Sequence, residues 1–324
     1  MTYTNSRRLL AVALTITAGL AVTSLTACSS SDDAASDGSV RLVINPAAPP
    51  ALPLIAQKIG AFKDNNLTVT ISTQPTTAIT TFAPALGKRY DIAWGTPADV
   101  IAAAAKGQKI KAIAGAYQDT QESQQGQLFA SKSSGIASLK DLKGKRVATP
   151  SLSGTLYLAL RTSIAAQGID PNDVTLVEVP FTNMLDQLNA NRVDAIALIQ
   201  PFIGRATAAG HTALGDPFLS VASPALAGMW IANTEWAAKN KKTIDSFTAA
   251  LDSAKTWADG HQDEARKDIA EALDLPPQVM AGVPLPAWDT TITPQLLEPW
   301  IKAVNAAGQV NGKLPAASDL VAVS

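Results

Sequence analysis

From Val40 onward the chain alternates between short apolar runs and stretches with apolar residues at helical spacing. VRLVI at Val40–Ile44 predicts a strand, broken by Asn45-Pro46. PLIAQKIGAF at Pro53–Phe62 has the spacing of a short helix, with Gly60 near its end. LTVTIS at Leu67–Ser72 is rich in β-branched residues and predicts a strand. A helix is expected over Thr76–Gly87 despite Pro84, then a strand at Asp91–Trp94. Pro97–Lys106 predicts a helix that Pro97 opens, Asp99 complements at its positive end, and Gly107 stops. Ile110–Ala114 is a further strand, and polar residues around Gln121–Gly126 interrupt the pattern.

The same grammar then restarts. Strands are expected at Gln127–Ser131, Arg146–Thr149, Val174–Val179 and Asp194–Leu198. Helices are expected at Thr155–Gln167, Asn183–Asn191 and Phe202–Gly210, with a turn at Leu139–Gly144. Met229–Ala232 is a short strand, and from Thr234 the chain is mostly helical. Strand–helix alternation implies parallel sheets covered by helices. Two successive blocks imply two α/β lobes, and the alternative is one continuous doubly wound sheet. The expected division puts residues 40–125 and 222–324 in lobe 1 and 126–221 in lobe 2, so that the chain crosses between lobes twice.

The N-terminus reads differently. Arg7 and Arg8 precede an apolar run from Leu9 to about Leu25, short for a membrane span and right for a signal peptide. It ends in Leu25-Thr26-Ala27-Cys28, which resembles the lipobox of bacterial lipoproteins. The resemblance implies a signal peptide over 1–27, cleavage before Cys28, and a lipid such as palmitate on that Cys. Residues 28–39 are Ser/Asp/Ala/Gly-rich and read as a flexible tether, because they lack apolar surface to offset the entropy of ordering.

Composition narrows the function. Of the 324 residues, 47% are hydrophobic and 16% charged, which supports a large core. A net charge of −1 and the lack of a basic cluster interleaved with aromatics give no drive toward nucleic acid. Cys28 is the only Cys, so no disulfide forms within the chain. The two His, His211 and His261, belong to no metal or catalytic constellation, and phosphate-loop, dinucleotide and nucleophile-elbow motifs are absent. Neither a catalytic residue, a metal nor a cofactor is expected.

The informative features are turns. Trp94-Gly95-Thr96-Pro97, Thr149–Thr155 and Pro180–Asn183 each carry small polar residues between a strand and a helix. Ligands of parallel α/β folds bind outside the carboxyl ends of strands, and a helix N-terminus holds an anion without Arg or Lys. Ordinary helix capping uses the same residues.

Several stretches resemble the substrate-binding proteins of ABC importers in the sulfonate/nitrate/taurine group, which includes thiamine-precursor binders. They are Ile136–Ala148 (IASLKDLKGKRVA), Ser153-Gly154-Thr155 with Ala166–Ile169, Leu188–Ala195 (LNANRVDA) and Gln200-Pro201-Phe202. The resemblance implies a type II periplasmic-binding fold: two lobes with mostly parallel sheets, a ligand cleft between them and hinge closure. It implies a monomeric, lipid-anchored protein on the extracytoplasmic face of the cell membrane, capturing a small organic anion for an ABC permease and its ATPase. The implied ligand-binding residues are Asn45, Trp94, Thr96, Ser153, Gly154, Thr155, Asn183, Gln200 and Trp230. Trp94 and Trp230 are expected as apolar walls, with core packing as the alternative, and Gln118 and Asp119 as weaker candidates at the cleft edge. No Arg or Lys falls in the turns, so a neutral or aromatic ligand stays open, as does a cationic one if Asp119 faces the cleft. An enzyme of this fold acting on a pyrimidine or small organic acid, or a sensor for a membrane receptor, are the rival readings.

Overall fold

The computed structural model of the chain describes residues 38–45, 51–74, 83–310 and 312–322. The expected signal peptide, Cys28, the expected tether up to residue 37 and most of the helix expected over Thr76–Gly87 lie outside these residues. Of that helix, the described part is a 3-10 turn at Ala83–Ala85.

The first sheet has six strands: β1 (Ser39–Ile44), β2 (Thr68–Thr73), β3 (Ile92–Gly95), β4 (Ile110–Asp119), β10 (Ala225–Asn233) and β11 (Ala287–Trp288). Their spatial order is β11-β4-β10-β3-β1-β2. The second sheet has five: β5 (Gly126–Ala130), β6 (Arg146–Thr149), β7 (Thr175–Glu178), β8 (Ala195–Ile199) and β9 (Thr212–Gly215), in the order β7-β6-β8-β5-β9. The chain crosses from the first sheet to the second after Asp119 and returns after Gly215.

The sheets are mixed, which corrects the expectation of mostly parallel ones. β1 is parallel to β2 and β3, and β6 to β7 and β8. β10 is antiparallel to β3 and β4, and β5 to β8 and β9. The reason is topological. β5 and β10 are the strands that arrive from the other sheet. Each enters at the end where its new neighbours finish, so it runs against them.

Local chemistry explains most element ends. The helix expected over Pro53–Phe62 is two pieces, α1 (Leu52–Lys58) and α2 (Ala61–Asp64). Gly60 between them is left-handed at φ +81°, a conformation that glycine adopts without steric cost. α3 (Pro97–Ala105) opens after an extended Thr96 and stops before Gly107, at φ +83°. The second block supplies α4 (Gly154–Ala165), α5 (Phe181–Asn189) and α6 (Ile203–Ala208). The C-terminal part supplies α7 (Thr234–Lys239), α8 (Lys241–Gly260), α9 (Gln262–Ala272), α10 (Pro277–Met280), α11 (Pro294–Ala307) and α12 (Ala317–Leu320).

Three cores result. On one face of the first sheet Leu42, Ile92 and Trp230 pack with Ile55 of α1 and Phe247 of α8. On one face of the second, Phe129, Ile196 and Leu198 pack with Met184 and Leu188 of α5. The remaining faces share one continuous core. It runs from Ala93, Met229 and Ile231 through Ile101 of α3, Trp300 of α11 and Leu158 of α4 to Leu128 and Val147. α11 packs on both α3 and α4, so the two sheets are joined behind the strand ends as well as through the crossings. Trp300 is fully buried there and donates from Nε1 to the Leu226 carbonyl at 2.7 Å.

Candidate functional site

Buried polar atoms without partners locate the site. Burying such an atom costs about 1–3 kcal/mol, so native proteins hold few of them and each needs a reason. Among the described residues they are Asn45 Oδ1, Trp94 Nε1, Asp119 Oδ2, Gln125 Oε1, Gln200 Oε1, Trp230 Nε1 and Asp268 Oδ2. All but Asp268 belong to strand ends, to the first crossing, or to the strand residue opposite Trp94. Asn45 follows β1, Trp94 lies near the end of β3, Asp119 ends β4, Gln125 precedes β5 and Gln200 follows β8. Groups from both sheets are therefore left open at the carboxyl ends of strands.

Trp94 and Trp230 are brought together as register partners in the β3–β10 pair. They share a sheet face, and Trp230 sits edge-on to Phe247 with ring centroids 5.7 Å apart. Both indoles thus pack in the core, and both N–H groups stay unpartnered. A buried indole N–H ordinarily finds an acceptor. Gly228 shapes the space beside Trp94. A Cβ there would lie 2.9 Å from Trp94 Nε1 and 2.7 Å from the Tyr117 ring. Gln200 is tied to the first crossing by its amide, which donates to the Gln125 carbonyl at 2.9 Å.

Thr96, Ser153, Gly154 and Thr155 form a second group, where α3 and α4 meet N-terminus to N-terminus. Thr155 is buried, and its Oγ1 accepts from the Ala98 amide at 3.3 Å. Thr96 Oγ1 donates to Asp99 Oδ2 at 2.7 Å. Gly154 is left-handed at φ +82°, and a Cβ there would stand 3.7 Å from Asp99 Oδ1. Burial raises the pKa of Asp99, against a smaller lowering by the Thr96 hydroxyl. One acid of the chain thus faces both helix ends. Ser153 is exposed and pairs with Ser151 at 3.1 Å. A cavity of about 370 Å³ adjoins these helix ends, lined by Asp99, Lys106, Ser153, Gly154 and Gln309 among others.

Asn183 stands apart, exposed in the first turn of α5 with its amide oxygen accepting from Thr182 Oγ1 at 3.3 Å. Gln118 donates to Asp289 Oδ2 at 2.6 Å. Gln125, Gly228, Asp99 as a partner of Gly154, and Lys106 were not among the expected site residues. Their only sequence signal is position: Gln125 ends the polar interruption, and Gly228 interrupts an apolar strand. No group of His, Cys, Asp or Glu suited to a metal exists among the described residues. No helix among them is long and apolar enough to cross a membrane.

The family model described as NMT1/THI5 like matches residues 51–265, well over half of the chain. The chain belongs to the NMT1/THI5-like family. Solved structures match this NMT1/THI5-like chain over most of its length. The periplasmic aliphatic sulphonate binding protein SsuA from Escherichia coli superposes with a TM-score of 0.76 at 15% identity, covering 89% of this chain and 93% of that one. The alkanesulfonate-binding protein SsuA from Xanthomonas axonopodis pv. citri, bound to MOPS, gives 0.71 at 16% identity, covering 88% and 99%. The ligand-binding component of an ABC-type import system from Staphylococcus aureus gives 0.66 at 17% identity, covering 88% and 96%. A search of curated proteins finds no match. The resemblance drawn from the DLKGK segment holds, and the NMT1/THI5-like chain has the periplasmic-binding-protein fold.

Proposed function

We propose that this chain is the solute-binding component of an ABC importer, anchored outside the cell membrane by lipid on Cys28. It closes two lobes, divided as the sequence suggests, on a small organic anion of sulfonate type and delivers it to a permease driven by an ATPase. The observation that carries this reading is the set of unpartnered buried polar atoms, Asn45 Oδ1, Trp94 Nε1, Gln200 Oε1 and Trp230 Nε1, contributed by strands of both sheets. A solute that pairs with them recovers about 1–3 kcal/mol per group. Thr96, Ser153, Gly154, Thr155 and Asn183 complete the proposed contacts. The indole N–H groups of Trp94 and Trp230 are neutral donors that suit a sulfonate, the Asn45 and Gln200 amide oxygens accept from a donor elsewhere on the solute, and Lys106 on the adjoining cavity adds a positive charge.

Asp99 supports a second reading, an uncharged polar solute. Its carboxyl lies against Gly154, where an anion at the α4 N-terminus would sit. The tether of residues 28–39 spans at most ~3.3–3.6 Å per residue. Anchoring through it keeps the protein near the membrane and raises its effective concentration at a permease.

A thermal-shift screen of alkanesulfonates, taurine, nitrate, pyrimidines and aromatic acids tests both readings. A true solute at ~100-fold excess over its Kd stabilises the protein by ~2.7 kcal/mol. Response to sulfonates alone supports the anion, and response to pyrimidines alone supports the uncharged solute. Consumption of a bound compound, or no response to any, overturns the solute-binding assignment.

A further inference from the structure

Asp119 and Asp216 meet where the chain passes between the sheets. Asp119 is the last residue of β4, and the first crossing starts after it; Asp216 follows β9 and opens the second. Both are buried, at 0% and 8% exposure. Their hydrogen bonds converge on consecutive amides. Asp119 Oδ1 accepts from Gln125 N at 2.6 Å. Asp216 Oδ2 accepts from Gly126 N at 3.3 Å, and its Oδ1 from Phe218 N at 2.8 Å. An acid from each crossing therefore grips the start of β5. Gly126 makes this possible, since a Cβ there would lie 2.8 Å from Asp216 Oδ1 and 2.6 Å from the Phe218 ring.

Counting acceptors locates a proton. Asp216 uses both oxygens for backbone amides. Asp119 Oδ2 is buried and receives no donor. Two facing buried carboxylates repel, and one proton on Asp119 Oδ2, donated to Asp216, satisfies both. No Lys, Arg or His bears on either acid. The titratable neighbours bring no positive charge: they are Tyr117 on β4, whose phenol burial and the two acids hold protonated, Asp289 beside Gln118, and exposed Glu122 in the first crossing. β5 presents Gln127, Gln125 and Gln200 flank β5 and β8, and β10 pairs apolar Ala225 with Asp119.

We infer that Asp119 and Asp216 share one proton, that this proton clasps the two crossings together, and that its loss frees them and opens the cleft. The inference rests on the reading that the lobes hinge about these crossings. Burial first, and the charge of Asp216 second, push Asp119 up to about 9. Burial likewise raises Asp216, to about 6, and the two titrate as a pair. The folded pair holds a proton that ordinary aspartates have lost. The stability it contributes is complete below about pH 4, the unfolded value, and falls as pH rises. It is gone once pH passes through the folded value near 9.

The test needs no solute, so its failure is separate from failure of the screen above. The full chain with Cys28→Ser carries spin labels at Lys63→Cys on α2 and Asp186→Cys on α5, both exposed. Distances are measured at about pH 7.5, where the pair holds one proton, and at about pH 10, above the loss of that proton near 9. The label distance is expected to lengthen at the higher pH. Asp119→Asn, whose amide N–H donates as the protonated acid does, keeps the shorter distance at both. Infrared difference spectra of the unsubstituted chain lose a protonated-carboxyl C=O band over the same interval. An unchanged distance in the parent chain, the same lengthening in Asp119→Asn, or no loss of the band overturns the inference.

Discussion

Thr155 in the first turn of α4 accepts a hydrogen bond from the amide of Ala98 in the first turn of α3, at 3.3 Å. The two helices follow strands of different sheets, so this bond joins the sheets side chain to backbone. It uses an amide that α3 leaves free by geometry, because the first four N–H groups of a helix have no partner within it.

Removing that acceptor has a defined cost. Thr155→Val keeps the shape but strands a buried amide, and a loss of about 1–3 kcal/mol is expected. Thr155→Ser keeps the hydroxyl and should lose less. Urea denaturation midpoints of the two variants check this, and equal midpoints would remove the bond from the account.

Gly228 is needed for space. Its Cβ position lies 2.7 Å from Tyr117 and 2.9 Å from Trp94 Nε1, inside contact distance. Gly228→Ala should cost about 1–3 kcal/mol through overpacking. It should also shift Trp94 and weaken the solute response. Gly204→Ala is the control: nothing lies within 4 Å of its Cβ position, and it sits in α6. That change is expected to stabilise by about 0.5–1 kcal/mol or be neutral. Calorimetric melting of both variants decides it.

Trp300 ties the shared core to β10. Trp300→Ala should cost about 3–5 kcal/mol, the range for an emptied large aromatic site. Trp300→Phe restores much of the packing but leaves the Leu226 carbonyl without its donor, so a deficit of about 1–3 kcal/mol should remain. Full recovery by Phe would show that the hydrogen bond contributes nothing. The measurement is equilibrium unfolding in denaturant.

Where the expected elements failed, the cause lay beyond the local chain. β10 was expected over Met229–Ala232 but runs from Ala225 to Asn233, and β9 was not expected at all. The residues added at the start of β10, Ala225, Leu226, Ala227 and Gly228, have little strand preference of their own. They are held by pairing with β4 on one side. β9 pairs only with β5, at the sheet's edge.

The residues expected at the site divide in the same way. Turns after β3 and β6 were readable because capping residues and a helix start are local features. That Trp94 lies opposite Trp230, that Gln200 bonds to the first crossing, and that Lys106 reaches the cavity beside Ser153 depend on register and helix packing. Asp119 and Asp216 are 97 residues apart, and each alone is an unremarkable acid.

By itself the sequence determined the alternation of strands and helices, the two-block plan and the family segment around DLKGK. These rest on periodicity, turn chemistry and short motifs, which act over a few residues. Only the tertiary structure decided which strands run against their neighbours, which polar groups stay open at the strand ends, and which acids face one another. Those outcomes depend on where the crossings re-enter each sheet, and on burial that removes water from groups far apart in the chain.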